Sequence, residues 1–355
     1  MKKHLFVLIL IATFGQATAS AAEQWTKQDT ENLTVEIEKG EYKTVTSVLV
    51  YQHGNIHFEG YFNGADAATL HDTRSATKTV TSMLVGAAIS DVLIANVDSF
   101  VISFFPELQP LANPDPRKDE ITIEDFLTMS SLLECNDFNN FSRGNEERMY
   151  LVENWVGFTL NLPIKGFEPW VERPNQNEYG RTFSYCTAGA HTLGQVVARA
   201  SGGSLDEYAD RKLFKPLGIE RTGWQRTGLD KTSAAGGLRL TTRSLMKLGI
   251  VFADGGAFEG EQILPRSWID KSLKTHVLAG RGMEYGYLLW KKSAQIHGRD
   301  IMTNYMSGNG GNRVVFIPEE GVVIVVTKTD YNSRGMHDDA ERLVTDGILA
   351  RLLPD

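Results

Sequence analysis

Ser75-Ala76-Thr77-Lys78 sets a hydroxyl and an amine three residues apart, at the head of a segment with helical patterning. Downstream, Val80, Met83, Leu84, Ala87 and Ala88 recur on one face, which predicts a buried amphipathic helix ending near Asp91. Residues three apart share a helix face, so the Lys78 amine can reach the Ser75 hydroxyl. A serine hydroxyl is a weak nucleophile until a base takes its proton, and a desolvated lysine can serve as that base or poise it. The first turn of the helix adds backbone N–H groups and a positive dipole end for a developing oxyanion. The arrangement points to acyl transfer.

The same four-residue pattern occurs again at Ser244-Leu245-Met246-Lys247. There Leu245 and Leu248 mark a buried face, and the spacing predicts an ordinary helix with solvated polar positions. The two copies differ in the elements that lie downstream of them. Tyr185-Cys186-Thr187 comes after Ser75, just before a predicted helix over 187–200 that Gly202-Gly203 should stop. A phenolate is electrostatically favoured at a helix N-terminus, and beside Lys78 the Tyr185 hydroxyl is a candidate general base. Taken alone it would be a core tyrosine, because three other tyrosines fit the same loose pattern. A third element, Met306-Ser307-Gly308-Asn309-Gly310-Gly311-Asn312, runs into a strand at Arg313. Its glycines would let a backbone approach a ligand closely and offer a second N–H to the oxyanion.

Composition is that of a globular enzyme. The 355 residues are 42% hydrophobic and 23% charged, enough for a large core, with no linker, repeat or low-complexity run to divide them. A formal net charge of −8 and the lack of a basic patch interleaved with aromatics argue against nucleic acid as a partner. Lys2, Lys3, the apolar run over 5–14 and the small residues Ala17, Ala19, Ala21 and Ala22 form the pattern of a signal peptide over 1–22. The run is too short to span a membrane. Cleavage would leave one domain over 23–355 with no membrane anchor, in a bacterial periplasm or secreted. In such an oxidising compartment two cysteines are more often paired than free, so a Cys135–Cys186 disulfide is expected, with two buried thiols as the alternative.

The expected fold class is mixed α/β (α+β). Hairpins are predicted over 46–61 and 313–328, and an amphipathic helix over 338–353 closes the chain. Between them, about 98–202 should be mostly helical, including a run over 125–133, with long loops over 136–145 and 163–177 of the kind that line clefts. The pattern implies an antiparallel sheet built from both termini, flanked by helices, with the helical region inserted and the active site between the two.

The three elements, in this order, resemble the serine hydrolases related to class C β-lactamases and penicillin-binding proteins. Phe126-Leu127-Thr128-Met129-Ser130-Ser131, Lys215-Pro216-Leu217-Gly218-Ile219, Gly236-Gly237-Leu238-Arg239-Leu240-Thr241, Tyr285-Gly286-Tyr287 and Phe316-Ile317-Pro318-Glu319 look like further blocks of that family. The resemblance implies a β-lactamase-like fold, Ser75 as nucleophile, Lys78 as its partner and Tyr185 as the base that also protonates the leaving group. It also implies substrate contacts from Thr187, Ser307, Gly308 and Asn309, and a shared cleft wall for the two cysteines. No cofactor or metal is called for.

The tyrosine motif of the family commonly ends in Asn, where this chain has Thr187. Family β-lactamases carry Lys or His before Thr-Gly to hold the antibiotic's carboxylate; here Met306 stands in that place, with Arg313 as the candidate substitute. These departures favour the branch that hydrolyses small esters, linear amides or peptide-like substrates over a β-lactamase or D,D-peptidase. A non-catalytic binding or sensor protein on the same fold is the alternative of another class. A nucleophile-elbow hydrolase would need G-x-S-x-G, and a zinc hydrolase clustered histidines; the sequence has neither.

Overall fold

The computed structural model describes residues 25–166 and 182–354. The expected signal peptide over 1–22 lies outside the described residues, as do residues 167–177 of the expected loop over 163–177.

Both predicted hairpins form and pair with each other. β1 (Val45–Gln52) and β2 (Asn55–Tyr61) come from the N-terminal part. β3 (Val277–Gly280), β4 (Met283–Tyr285), β5 (Trp290–Ile296), β6 (Arg299–Gly308), β7 (Asn312–Ile317) and β8 (Val322–Lys328) come from the C-terminal part. They make one eight-stranded sheet in the order β2-β1-β8-β7-β6-β5-β4-β3. The two ends of the chain meet where β1 runs antiparallel to β8, with Val48 opposite Val326 and Val50 opposite Ile324.

Side chains alternate across a strand, and here both faces are covered. Val48, Val50, Ile324 and Val326 pack on one face against α1 (Lys27–Glu38) and the C-terminal helix. Leu49, Val314, Phe316, Val323 and Val325 pack on the other against the inserted helices. That is why β8 is buried along its whole length. The C-terminal helix begins as α8 (Met336–Arg342) and continues through a π-helical turn and a last α-turn to Leu352.

The Ser75 helix, α2 (Thr77–Ser90), ends at Asp91 as its pattern predicts. Its environment differs from the expectation, because every residue from Thr77 to Ala88 is buried rather than one face alone. Two of its buried threonines bond to neighbouring backbone, whereas the Ser82 hydroxyl is buried without a hydrogen-bond partner among the described residues. Thr79 Oγ1 donates to Leu288 O at 2.6 Å and Thr81 Oγ1 to Ala234 O at 2.5 Å.

The helix expected over 125–133 stops early. α3 spans only Ile123–Leu127, because Met129 and Leu132 adopt left-handed backbone angles, φ 56° and 68°. Short helices α4 (Glu146–Met149) and α5 (Trp155–Leu160) follow, and then α6 (Thr187–Ser201). Gly202 ends α6 in the left-handed conformation, φ 70°, which glycine adopts without a Cβ penalty. α7 (Thr242–Ala253) carries the second Ser-x-x-Lys copy, whose polar groups are tied down rather than solvated. Ser244 is buried against Thr241, while Lys247 Nζ donates to Leu217 O at 2.7 Å and Gly218 O at 3.1 Å. The two side chains serve different partners, so this copy is structural.

Candidate active site

Ser75 sits in a single 3₁₀ turn, Arg74–Ala76, that leads directly into α2. The turn is strained at Arg74, which holds φ 49°. Its N–H donates to Asp72 Oδ1 at 3.0 Å, and its guanidinium lies 4.4 Å from the Tyr331 ring centre. Behind the turn, Thr73 Oγ1 donates to Leu238 O at 2.8 Å and Leu238 N–H to Thr77 Oγ1 at 3.3 Å. These contacts fix the serine from three sides. Lys78 follows one helical turn later, 1% exposed, and its Nζ donates to Ser75 Oγ at 2.9 Å and to Ala235 O at 2.8 Å. The Ala235 carbonyl is itself positioned from the next residue back, for Ala234 O receives Thr81 and Ala234 N–H meets His191 Nδ1 at 3.4 Å. Burial lowers His191 to about 3, so it is a neutral acceptor.

Tyr185 lies in the residues leading into α6, and its ring centre is 5.1 Å from Lys78 Nζ. The ring is stacked between Phe138 (5.2 Å) and Trp290 (5.6 Å), so an aromatic wall fixes its plane. The expected disulfide is present: Cys135 and Cys186 are bonded with their Cα atoms 5.4 Å apart. It welds the loop after α3 to the tyrosine motif. Ser184 N–H donates to Met129 O at 2.7 Å and Asp137 N–H to Tyr185 O at 2.9 Å, along the same seam. Thr187 is buried, and its N–H donates to Asp137 Oδ2 at 2.7 Å.

The end of β6 closes the site from the sheet side. Gly308 is pressed so closely onto the Ser75 turn that a Cβ there would stand 2.1 Å from Thr73 O. β5 pairs with β6 only as far as Tyr305, so beyond it the backbone of Met306, Ser307 and Gly308 is bonded to β7 alone. The Asn309 side chain is turned aside by a reciprocal pair with Asn332, Nδ2 to Oδ1 at 2.6 Å and Asn332 N–H to Asn309 Oδ1 at 2.8 Å. The Asn309 side chain is thereby committed to Asn332, and its carbonyl accepts the Asn312 Nδ2 at 2.8 Å. Ser307 is half-buried on the same strand face as Arg313, its register partner.

Arg313 does not supply the missing cation. It is buried under the C-terminal helix, over the Tyr305 ring at 4.4 Å, donating to His337 O at 3.1 Å and 3.9 Å from the Glu341 carboxylate. Met306 is fully buried in the core.

A serine hydroxyl, an amine and a tyrosine thus converge under one strand end, in the fold of the expected class. The sequence profile of the Beta-lactamase family matches residues 38–346. The chain belongs to that family. Beta-lactamase-family enzymes of this kind are serine hydrolases, and this protein is one of them. The 6-aminohexanoate-dimer hydrolase of Paenarthrobacter ureafaciens is 30% identical over 105 residues, 29% of this chain and only 25% of that relative. A Bacillus anthracis structure assigned as a 6-aminohexanoate-dimer hydrolase superposes with TM-score 0.69 at 19% identity, covering 87% of this chain and 80% of that one. EstCE1, a hydrolase with promiscuous acyltransferase activity, superposes with TM-score 0.67 at 15% identity, covering 90% and 97%. At these identities the two structures show the shared fold.

Several residues of the beta-lactamase-like cleft escaped the sequence pattern. Ala235 contributes only a carbonyl, which has no side-chain signature. Phe138, from a loop, and Trp290, at the start of β5, both stack on Tyr185 although they lie far apart in sequence. Asp137 could have been found from the cysteines, since a bond from Cys135 to Cys186 must bring a residue two positions on near Thr187.

Proposed function

We propose that this beta-lactamase-family protein is an exported serine hydrolase that cleaves carboxylic esters or amides through an acyl-enzyme on Ser75. The observation that carries it is the 2.9 Å contact from Lys78 Nζ to Ser75 Oγ, with Lys78 buried and its orientation set by Ala235 O. Ser75 Oγ attacks the substrate carbonyl carbon while its proton passes to Tyr185 Oη, acting as general base. The resulting oxyanion accepts from the N–H groups of Ser75 and Asn309, a role supported by the close packing of Gly308 on the turn that carries Ser75. Collapse breaks the bond to the alcohol or amine, which takes the proton from Tyr185. Water then attacks the acyl carbon by the reverse proton path, releasing the acid and free Ser75.

The absence of an available cation at Met306 and Arg313 supports an ester or linear-amide substrate over a carboxylate-bearing antibiotic. The partial likeness to a 6-aminohexanoate-dimer hydrolase supports the same choice. The disulfide supports folding in an oxidising compartment, periplasmic or extracellular, consistent with the signal-like residues 1–22.

Exposure to a fluorophosphonate should add one label, on Ser75, by peptide mass mapping. Ser75→Ala should lose both the label and turnover of a p-nitrophenyl ester while keeping its thermal transition. Lys78→Ala and Tyr185→Phe should each lower turnover by orders of magnitude, non-additively with each other because the groups act as a unit. Wild-type turnover by a folded Ser75→Ala protein would refute the assignment.

A further inference from the structure

One carboxylate beside Ser75, Lys78 and Tyr185 has no part in the acyl transfer itself. Asp137 grips the tyrosine motif on both sides of Cys186: its N–H donates to Tyr185 O at 2.9 Å, and its Oδ2 accepts the Thr187 N–H at 2.7 Å. Its other oxygen, Oδ1, accepts the Glu146 N–H at 2.9 Å, at the start of α4. The cap position of α6 is Cys186, whose sulfur, engaged in the disulfide, is a weak acceptor. The sulfur accepts the Gly189 N–H at 3.3 Å, further along the turn, and the first amide of α6, that of Thr187, is served from another segment of the chain.

A neutral acceptor would cap the helix as well. What sets Asp137 apart is charge in reach of Lys78. The Glu146 carboxylate repels the Asp137 carboxylate, and the Lys78 ammonium attracts it. Tyr150 faces this pair as well, its hydroxyl donating to Glu146 Oε2 at 3.2 Å. Lys78 from α2, Glu146 and Tyr150 from α4 and its C-terminal end, and Thr187 from α6 are thus the charged, titratable and hydrogen-bonding groups around it.

We propose that ionised Asp137 is a positioning residue for acyl transfer, clamping the backbone around Tyr185 and balancing the Lys78 ammonium that holds Ser75 Oγ. The proposal rests on the Ser75–Lys78–Tyr185 assignment. It carries a pH signature, because burial and Glu146 push the Asp137 acid up to about 6, against the pull of Lys78 and Thr187. Protonation turns one clamp acceptor into a hydroxyl aimed at an N–H donor and removes the counter-charge of Lys78. Activity supported by this group is present above that pH and is lost as pH falls through it.

The test is the pH dependence of kcat and kcat/KM for a p-nitrophenyl ester between about pH 5 and 8, in wild type, Asp137→Asn and Asp137→Glu. Wild type should lose activity on the acid side near pH 6. Asp137→Asn should have kcat lower by about ten-fold or more with KM little changed, and no acid limb in that range. Asp137→Glu, which keeps the charge, should recover part of kcat and restore a limb. Thermal melting and non-reducing peptide mapping establish that each variant folds and keeps its disulfide. An unfolded Asp137→Asn leaves the decision to Asp137→Glu and wild type, where a missing acid limb in either overturns the proposal. So does a folded Asp137→Asn with the wild-type profile. If Ser75→Ala is inactive in the same assay, such a failure touches Asp137 alone; an active Ser75→Ala would instead remove the assignment beneath it.

Discussion

Gly308→Ala tests whether the strand end and the Ser75 turn work as one device. Gly308 has ordinary backbone angles, so alanine is not excluded by conformation. The obstacle is space: the new Cβ would stand 2.1 Å from Thr73 O, just before the turn that carries Ser75, and 3.2 Å from Arg74 Cβ within it. Carbon and carbonyl oxygen rest at about 3.3 Å or more, so β6 and the turn must separate by roughly 1 Å. Thr73 O cannot swing aside freely, since it accepts the Ala76 N–H at 3.1 Å. Overpacking of this kind costs about 1–3 kcal/mol of stability. The same shift pulls the Asn309 N–H away from Ser75, and a misplacement of about 1 Å lowers turnover by on the order of 100-fold. Steady-state hydrolysis of a p-nitrophenyl ester measures the loss of turnover, and thermal or urea unfolding measures the loss of stability. Gly166→Ala is the control, because a Cβ there meets nothing within 4 Å among the described residues. Turnover of Gly308→Ala within about three-fold of the Gly166→Ala control would refute the claim that this contact sets the oxyanion geometry.

Two further outcomes concern stability. The Cys135–Cys186 bond joins positions 51 residues apart, and loop-closure entropy values such a link at about 4 kcal/mol; the double Cys→Ser variant should lose that in urea unfolding and lose turnover as well, through a looser Tyr185. Burial holds His71 near 4 and His191 near 3, below the ordinary 6.5, so their contribution is complete above pH 6.5 and is lost as pH falls toward 4. Urea unfolding at stepped pH should show that loss, a few kcal/mol in all, with a flatter profile in His71→Gln; Asp137, whose acid is raised, acts with the opposite sign over the same range.

How far the site could be seen in advance depended on the distance over which each feature is decided. The hairpins, the end of α2 at Asp91 and the stop at Gly202 follow from local alternation, helical period and a glycine cap, so the sequence shows them directly. Ser75 and Lys78 belong to the same class, since one helical turn sets their spacing. Burial of α2 on all sides is not local: its threonines look like a solvent face until Leu288 and Ala234 bring carbonyls to them. The early end of α3 escaped for a related reason, since left-handed Met129 and Leu132 are held by contacts that a propensity cannot contain.

The case of Arg313 shows what parity along a strand can decide once register is known. Ser307 pairs with Arg313 and Tyr305 with Val315, so Tyr305, Ser307, Arg313 and Val315 share a face, while Met306 and Gly308 take the other. Gly308 meets the Ser75 turn, which places Met306 on the face toward α2 and Arg313 on the face toward the C-terminal helix. The residue that could have carried a cation toward Ser75 is thus methionine, and the residue that does carry one is spent on Tyr305, His337 and Glu341. Parity alone therefore links a one-residue departure from the family pattern to the proposed preference for esters and linear amides.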